Sequence, residues 1–311
     1  MTTSSLPRPS LRGAASSRRA VLVDRIATGL LWAAGAFVLV ILGAIILHFA
    51  ITSAGVISPS FIFGNPSSTS LGGVGPLLWN SVYMLVLTML ISVPLGILAG
   101  IYMSEYASEG RVTNAIRFAE EAISSVPSIV VGLFGLIAFV DVAHWGFTAL
   151  GGALALTIFN LPLMSRLAEQ ALRAVPADER AGSLALGATK WQTIRHVVVP
   201  LAIPGIVTGV ILTAGRVFGE AAALLFTAGL STPTGYNFAN LNIADPRSPW
   251  SPFRPATTLS VYIWNINSEG IGQYVKQIAD GASAILLAMV LIFNLGARLF
   301  GRILTRRLTA A

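Results

Sequence analysis

The chain has 311 residues, of which 54% are hydrophobic and 11% charged, and its formal net charge is +7. Soluble domains usually carry about a quarter charged residues, so this composition predicts an integral membrane protein. The absence of cysteine excludes disulfides, thiolate metal sites and cysteine nucleophiles.

The first apolar segment follows a basic arm rich in Ser, Pro and Arg. We expect residues 1–25 to be a disordered arm and residues 26–51 to form a first transmembrane helix that is not cleaved. Five more apolar segments are long enough to span a membrane: 79–102, 126–144, 147–165, 201–229 and 281–301. The predicted fold class is therefore an all-α polytopic membrane protein with six transmembrane helices.

The basic residues predict the orientation of this fold. Six spans place both termini on one side, and most of the 20 Lys and Arg residues fall on that same side. They lie on the arm, after the second and fourth spans, and at the C-terminal end. The positive-inside rule then places both termini in the cytoplasm, and it accounts for the high basic content without nucleic acid.

Two connecting segments have distinct patterns. Between the second and third spans, Val112, Ile116, Ala119 and Ile123 repeat with a helical period, which predicts an amphipathic helix on the inner leaflet. The outer segment 230–280 is long and rich in proline and aromatic residues. Both a binding surface for an external partner and an interfacial aromatic shelf fit this outer segment.

The segment 176–200 predicts two short helices joined by a tight turn. The first begins near Asp178, which suits a helix N-terminus, and stops at Gly187, which can adopt the left-handed conformation. Thr189 and Gln192 then form a capping box that opens a second helix, and Pro200 marks the entry to the fifth span. Four apolar side chains are available for packing: Leu184, Leu186, Trp191 and Ile194.

This segment resembles the "EAA" loop of ABC-importer permeases, in which a glycine precedes a proline by thirteen residues, as Gly187 precedes Pro200. Ala181, Gly182 and Ser183 stand where the family has Glu-Ala-Ala, and Glu179 lies two residues before the usual glutamate. The resemblance implies that segment 176–200 docks into a separate ATPase. This chain has no phosphate-binding loop, so we expect it to bind no cofactor, and the partner ATPase to use ATP and Mg²⁺.

Three further stretches resemble the PstA-type permeases of phosphate importers: 124–139, 215–229 and 285–300. The resemblance implies a MetI-like transmembrane domain over 76–301 and a multi-pass subunit in the cell membrane that catalyses no reaction. It also implies four partners: a homologous PstC-type permease, an ABC ATPase dimer, an extracytoplasmic phosphate-binding protein and phosphate itself. The sister PstC-type subunit shares part of the pattern and remains an alternative.

Two charged residues, Arg216 and Glu220, lie in the otherwise apolar fifth span. Each costs about 2.5–3.5 kcal/mol at a helix centre, and their spacing allows both to lie on one helix face, where each offsets the desolvation of the other. The planar donors of arginine suit phosphate. The hypothesis is that Arg216 contributes to the phosphate path and Glu220 holds it in place; a structural pair that locks helix packing is the alternative.

Other features have simpler interpretations. Gly96-x-x-x-Gly100 and Gly205-x-x-x-Gly209 predict close helix packing, and the three scattered histidines do not favour a metal site. Importers of another oxyanion, such as sulfate or molybdate, share the same predicted architecture. An ATP-independent secondary transporter is an alternative from another class, but it leaves the 176–200 segment without a role.

Overall fold

The structure, a computed structural model, describes residues 12–67, 71–231, 235–270 and 272–309. These residues form helices and no strands, which confirms the all-α fold class. The helices are α1 (Arg12–Ser53), α2 (Pro59–Phe63), α3 (Gly75–Ile101), α4 (Arg111–Ser125), α5 (Ser128–Gly135), α6 (Ala149–Arg173), α7 (Ala177–Ala185), α8 (Lys190–Thr193), α9 (Val199–Gly219), α10 (Ala222–Leu225), α11 (Leu259–Glu269) and α12 (Val275–Thr309). Single π-helical turns extend α3, α5 and α8.

The chain divides into two compact units, residues 1–51 and 52–311. Within the described residues, the first unit comprises α1 up to Ile51. Because α1 begins at Arg12, residues 12–25 are helical and not disordered as predicted. They form one continuous helix with the apolar residues that follow them. The prediction for residues 1–11 lies outside the described residues.

Five described helices are long and apolar enough to cross a membrane: 19–53, 75–106, 149–173, 190–219 and 275–303. The predicted third span is different, since residues 128–142 form only a short helix, bent by 97° from α4. Counting this bent pair as one span gives six. The separate helix α4 agrees with the amphipathic pattern of that segment.

Helix α6 lies at the centre of the second unit, and glycines on two neighbours allow a close approach. A Cβ at Gly96 or Gly100 of α3 would lie 2.4 Å from Met164 or 2.6 Å from Ala168. On α9, a Cβ at Gly205 would lie 2.6 Å from the Ala171 Cβ, and one at Gly209 2.9 Å from the Leu167 Cβ. Both predicted glycine motifs therefore pack against α6, as small residues do between membrane helices. The order of the contacts makes α3 parallel and α9 antiparallel to α6.

Helix α9, which corresponds to the fifth predicted span, ends before the apolar segment 201–229 does. Helix α9 ends at Gly219, and Glu220 has extended backbone angles (φ −76°, ψ 125°). The predicted outer segment 230–280 in turn contains α11 and the start of α12. We call the end of the unit where α6 ends at Arg173 the basic end, and the end where α6 begins the opposite end.

Candidate functional site

The segment 177–198, which we call the elbow, projects from the basic end as the sequence predicts. It contains α7, a turn at Gly187 with φ +86°, and α8. Thr189 Oγ1 accepts from the Gln192 N–H and Gln192 Oε1 accepts from the Thr189 N–H, which confirms the capping box. Pro200 lies in the first turn of α9 and does not interrupt it.

The elbow exposes apolar side chains at its tip. Leu186 is 91% exposed, Trp191 53% and Leu184 49%, whereas Ile194 is buried and anchors the base. Glu179, Ala181 and Gly182 are exposed on α7, and Ser183 turns inward to share a 2.9 Å hydrogen bond with Thr193. Three of the four predicted packing residues therefore lie on a surface suited to a protein partner.

Arg180 attaches the elbow to two membrane helices. Its Nη2 atom lies 2.9 Å from Glu105 Oε1, in the turn that follows α3. The same guanidinium donates to the carbonyl of Leu172 near the end of α6, at 2.8 Å, and to the carbonyl of Val175. Arg180 therefore links α7 to the ends of α3 and α6 through charge-assisted hydrogen bonds, which are among the stronger ones.

A second ionic cluster joins α4 to α6 at the same end. Glu169, only 4% exposed, accepts from Arg117 at 2.7 Å and from Arg173 at 2.9 Å. Glu120 accepts from Ser165 at 2.8 Å. The charged face of α4 thus packs on α6, while apolar residues such as Val112, 69% exposed, face outward. This arrangement is typical of an interfacial amphipathic helix.

We expect Arg180→Gln to loosen the elbow without unfolding the bundle. Losing one charge-assisted hydrogen bond costs about 1.5–3 kcal/mol, so amide hydrogens of α7 should exchange with deuterium about tenfold faster or more. Hydrogen–deuterium exchange of the purified protein measures this effect. Arg195→Gln is the matched control, because Arg195 is exposed and forms no ion pair with another described residue. Unchanged exchange in Arg180→Gln would contradict the anchoring role.

Arg216 and Glu220 do not form the predicted pair, because α9 ends between them. The Arg216 guanidinium carbon lies 3.7 Å from the centre of the Phe159 ring on α6. Glu220 Oε1 instead accepts from the Ala223 N–H at 3.2 Å, and the Glu220 carbonyl accepts from Ser260 at 2.8 Å. Within the described residues, Arg216 forms neither an ion pair nor a hydrogen bond. Its donors therefore remain available to an anion, while its face rests on an aromatic ring.

Buried polar atoms lie between α3 and α6. Thr88 Oγ1, Ser92 Oγ and Asn160 Oδ1 are buried and accept or donate no hydrogen bond within the described residues. Gly96 of α3 is opposite Met164 of α6. Ser92 and Asn160 each lie one turn before these residues, so they are opposite each other on the two parallel helices. Asn160 directly follows Phe159, so this polar seam is close to the Arg216 stack. By contrast Asn80, which donates to the Thr257 carbonyl at 2.9 Å, has a structural role.

The structure also identifies a buried arginine that the sequence did not single out. Arg254 is fully buried at the opposite end, and it donates to Pro249 O, Pro255 O and the Tyr236 hydroxyl. The Tyr83 and Tyr236 rings lie 5.4 and 4.7 Å from its guanidinium carbon. Burial lowers the pKa of Arg254 from its ordinary value, opposed by the two tyrosines. No carboxylate pairs with it within the described residues.

Arg254 organises the outer segment around the start of α6. Its carbonyl accepts from the Ala149 N–H at 2.8 Å, and the Pro252 carbonyl accepts from the Leu150 N–H at 2.8 Å. These bonds satisfy backbone donors that a helix N-terminus otherwise leaves free. Three aromatic rings pack beside this segment and remain partly exposed: Trp79, Phe238 and Trp250.

The comparison with known families identifies the class of protein to which this helix bundle and its elbow belong. The family model described as "Binding-protein-dependent transport system inner membrane component" matches residues 92–310. The chain therefore belongs to this family of membrane permease subunits of ABC importers.

Individual relatives carry more specific names than the family model does. The chain is 48% identical over 290 residues, 93% of this chain and 98% of the relative, to the "Probable ABC transporter permease protein YqgI" of Bacillus subtilis. It is 33% identical to the "Phosphate transport system permease protein PstA" of Xylella fastidiosa, over 75% of this chain and 76% of that one. It is also 33% identical to PstA 1 of Mycobacterium tuberculosis, over 76% of this chain and 73% of that one.

Solved structures support the fold. A bacterial alginate ABC transporter in complex with its alginate-bound periplasmic protein aligns over 93% of this chain and 96% of that one, with a TM-score of 0.64 and 16% identity. The MetNI methionine ABC transporter in an inward-facing conformation aligns over 75% of this chain and 94% of that one, with a TM-score of 0.53 and 18% identity. The MetI-like permease fold predicted from the sequence is thereby confirmed.

Proposed function

We propose that this chain is the PstA-type permease subunit of an ATP-driven importer of inorganic phosphate. The observation that carries the proposal is Arg216, an arginine in a membrane helix that stacks on Phe159 without a carboxylate partner. An intramembrane charge of this kind is a transport-site candidate, and the guanidinium geometry suits a phosphate oxyanion. The relatives named as phosphate permeases support the same substrate.

In this proposal the elbow couples a separate ATPase to the bundle. The exposed Leu186 and Trp191 enter a groove of the ATPase, and the exposed Glu179, in the first turn of α7, provides a polar contact in place of the altered "EAA" glutamate. Closure of the ATPase dimer moves α7, and Arg180 passes that motion to α3 and α6. This chain supplies the pathway and the coupling surface, whereas the partner binds ATP and Mg²⁺ and carries out hydrolysis.

The two ends of the bundle suggest where the remaining partners bind. The positive-inside rule supports a cytoplasmic location of the basic end, and it predicts that both termini lie in the cytoplasm. The partly exposed aromatic cluster at the opposite end then meets an extracytoplasmic phosphate-binding protein. A homologous PstC-type permease completes the pathway, in which Arg216 contacts phosphate.

The substrate is tested by uptake of labelled phosphate in cells that lack this chain. Complementation with the wild-type chain is expected to restore high-affinity uptake at limiting phosphate. A tenfold excess of unlabelled phosphate should compete, while the same excess of sulfate or molybdate should not. Restored uptake that sulfate or molybdate suppresses equally would assign the chain to another oxyanion.

A further inference from the structure

An open groove of about 730 Å³ lies between α9 and α12, and Arg216 is not among its lining residues. Its walls include Val207, Ile211 and Leu212 on α9, and Arg298, Gly301 and Arg302 on α12. A Cβ at Gly301 would lie 3.0 Å from Val207, so the two helices nearly touch at this point. The contact between Val207 and Gly301 therefore closes the bottom of the groove.

The charge of the groove is positive and uncompensated. Arg298 and Arg302 are exposed and lie one helical turn apart on the same face. Neither forms an ion pair or a hydrogen bond with another described residue. Neither α9 nor the part of α12 from Gly281 onward contains an acidic residue. An anion that enters the groove therefore meets two free guanidinium groups and no repelling carboxylate.

Apart from the two arginines and Thr208, whose hydroxyl donates to the Pro204 carbonyl, the groove is lined by apolar residues and extends along α9 toward the opposite end. Leu212 is 52% exposed, and Ile211 lies beside it on the groove wall. Gly205, which directly follows the lining residue Pro204, packs on Ala171 near the end of α6, so the arginines lie at the basic end. The two arginines lie at the end of the groove nearest the membrane surface, and the apolar residues lie deeper. This arrangement suits a lipid, whose headgroup lies at the membrane surface and whose acyl chains lie in the apolar core.

We propose that this groove binds one anionic phospholipid. The headgroup phosphate lies between Arg298 and Arg302, whose planar donors match its oxygens, and an acyl chain lies along Ile211 and Leu212. Basic pockets between membrane helices bind anionic headgroups in this way. The site goes beyond phosphate import, because its ligand is a membrane component that holds α9 against α12.

A fluorescent label at Leu212 tests the proposal in the assembled transporter. The chain has no cysteine, so Leu212→Cys introduces one unique labelling site, provided the other subunits are made cysteine-free. In nanodiscs, brominated phosphatidylglycerol should quench the label at low mole fraction, whereas brominated phosphatidylcholine should quench only at high mole fraction. In Arg298→Gln/Arg302→Gln, half-maximal quenching should require roughly 30-fold more phosphatidylglycerol, since each arginine near an anionic headgroup contributes about fivefold.

The matched control removes two positive charges from the opposite end. Arg247→Gln/Lys276→Gln changes the net charge equally but leaves the groove intact, and it should retain wild-type quenching. Equal quenching by the two lipids, or unchanged phosphatidylglycerol affinity in Arg298→Gln/Arg302→Gln, would overturn the proposal. So would displacement of the lipid by millimolar inorganic phosphate, which indicates a soluble-anion site. A cysteine at position 212 that reacts with the label in this chain alone, but not in the assembled transporter, would assign the groove to a subunit interface.

Discussion

A transporter carrying Arg216→Ala is expected to assemble with its ATPase and to import phosphate at least about tenfold more slowly. The expected loss corresponds to one charge-assisted hydrogen bond to the substrate, worth about 1.5–3 kcal/mol. Arg216 stacks on Phe159 and has no ion-pair or hydrogen-bond partner among the described residues, so its removal breaks no ion pair of the fold. Initial rates of labelled-phosphate uptake, with co-purification of the ATPase measured in parallel, test this prediction.

Two further variants separate a substrate contact from a packing role. Arg216→Lys keeps the charge but loses the planar donor fork, and should restore only part of the uptake. Glu220→Gln keeps the oxygen that caps the Ala223 N–H, and should transport nearly as well as the wild type. If Arg216→Ala loses ATPase assembly and uptake to the same extent, Arg216 has a structural role.

Arg254→Met is expected to cause the largest loss of stability among single substitutions outside the helices. The variant leaves the Pro255 carbonyl without a donor, and an unsatisfied buried group costs about 1–3 kcal/mol. The Pro249 carbonyl and the Tyr236 hydroxyl keep Trp79 and Asn80 as partners but lose hydrogen bonds to the guanidinium, each worth about 1.5–3 kcal/mol. The combined effect should lower the Tm of the purified protein by roughly 10 °C. Thermal unfolding in detergent, followed by light scattering, measures the shift.

The control for Arg254 lies in the same segment. Arg247 is exposed, so Arg247→Met should leave the Tm within about 1 °C, as surface substitutions usually do. Arg254→Lys should fall between the two, because a lysine retains the charge and reaches fewer of the acceptors. A Tm of Arg254→Met equal to that of Arg247→Met would show that the buried guanidinium contributes nothing to the outer segment.

Local sequence patterns predicted the parts of the fold that depend on neighbouring residues. The capping box at Thr189, the left-handed turn at Gly187 and the glycine motifs on α3 and α9 all depend on residues a few positions apart. The apolar tip of the elbow was also predicted, except for Ile194, which the base of the elbow buries. The resemblance to ABC permeases rested on the same segment, and the family comparison confirmed it.

Features that depend on distant contacts were missed or mistaken. Hydropathy does not register the break at Glu220, because the sequence remains apolar to residue 229, and the predicted pairing of Arg216 with Glu220 was therefore wrong. Arg254 gives no local signal, since its importance comes from Tyr83 and from the start of α6. The Arg180–Glu105 contact likewise joins residues 75 positions apart. The cytoplasmic orientation of the termini remains a prediction.

ATP-dependent phosphate uptake into vesicles that contain the complete transporter, with and without Leu186→Asp, tests the proposed coupling most directly. Leu186 is 91% exposed at the tip of the elbow, so a charge there spares the fold and disrupts an apolar contact with the ATPase. We predict that wild-type vesicles accumulate phosphate only with ATP and the binding protein, and that Leu186→Asp vesicles do not accumulate it. Full uptake by Leu186→Asp, or steady uptake without nucleotide by vesicles containing this chain alone, would contradict the account.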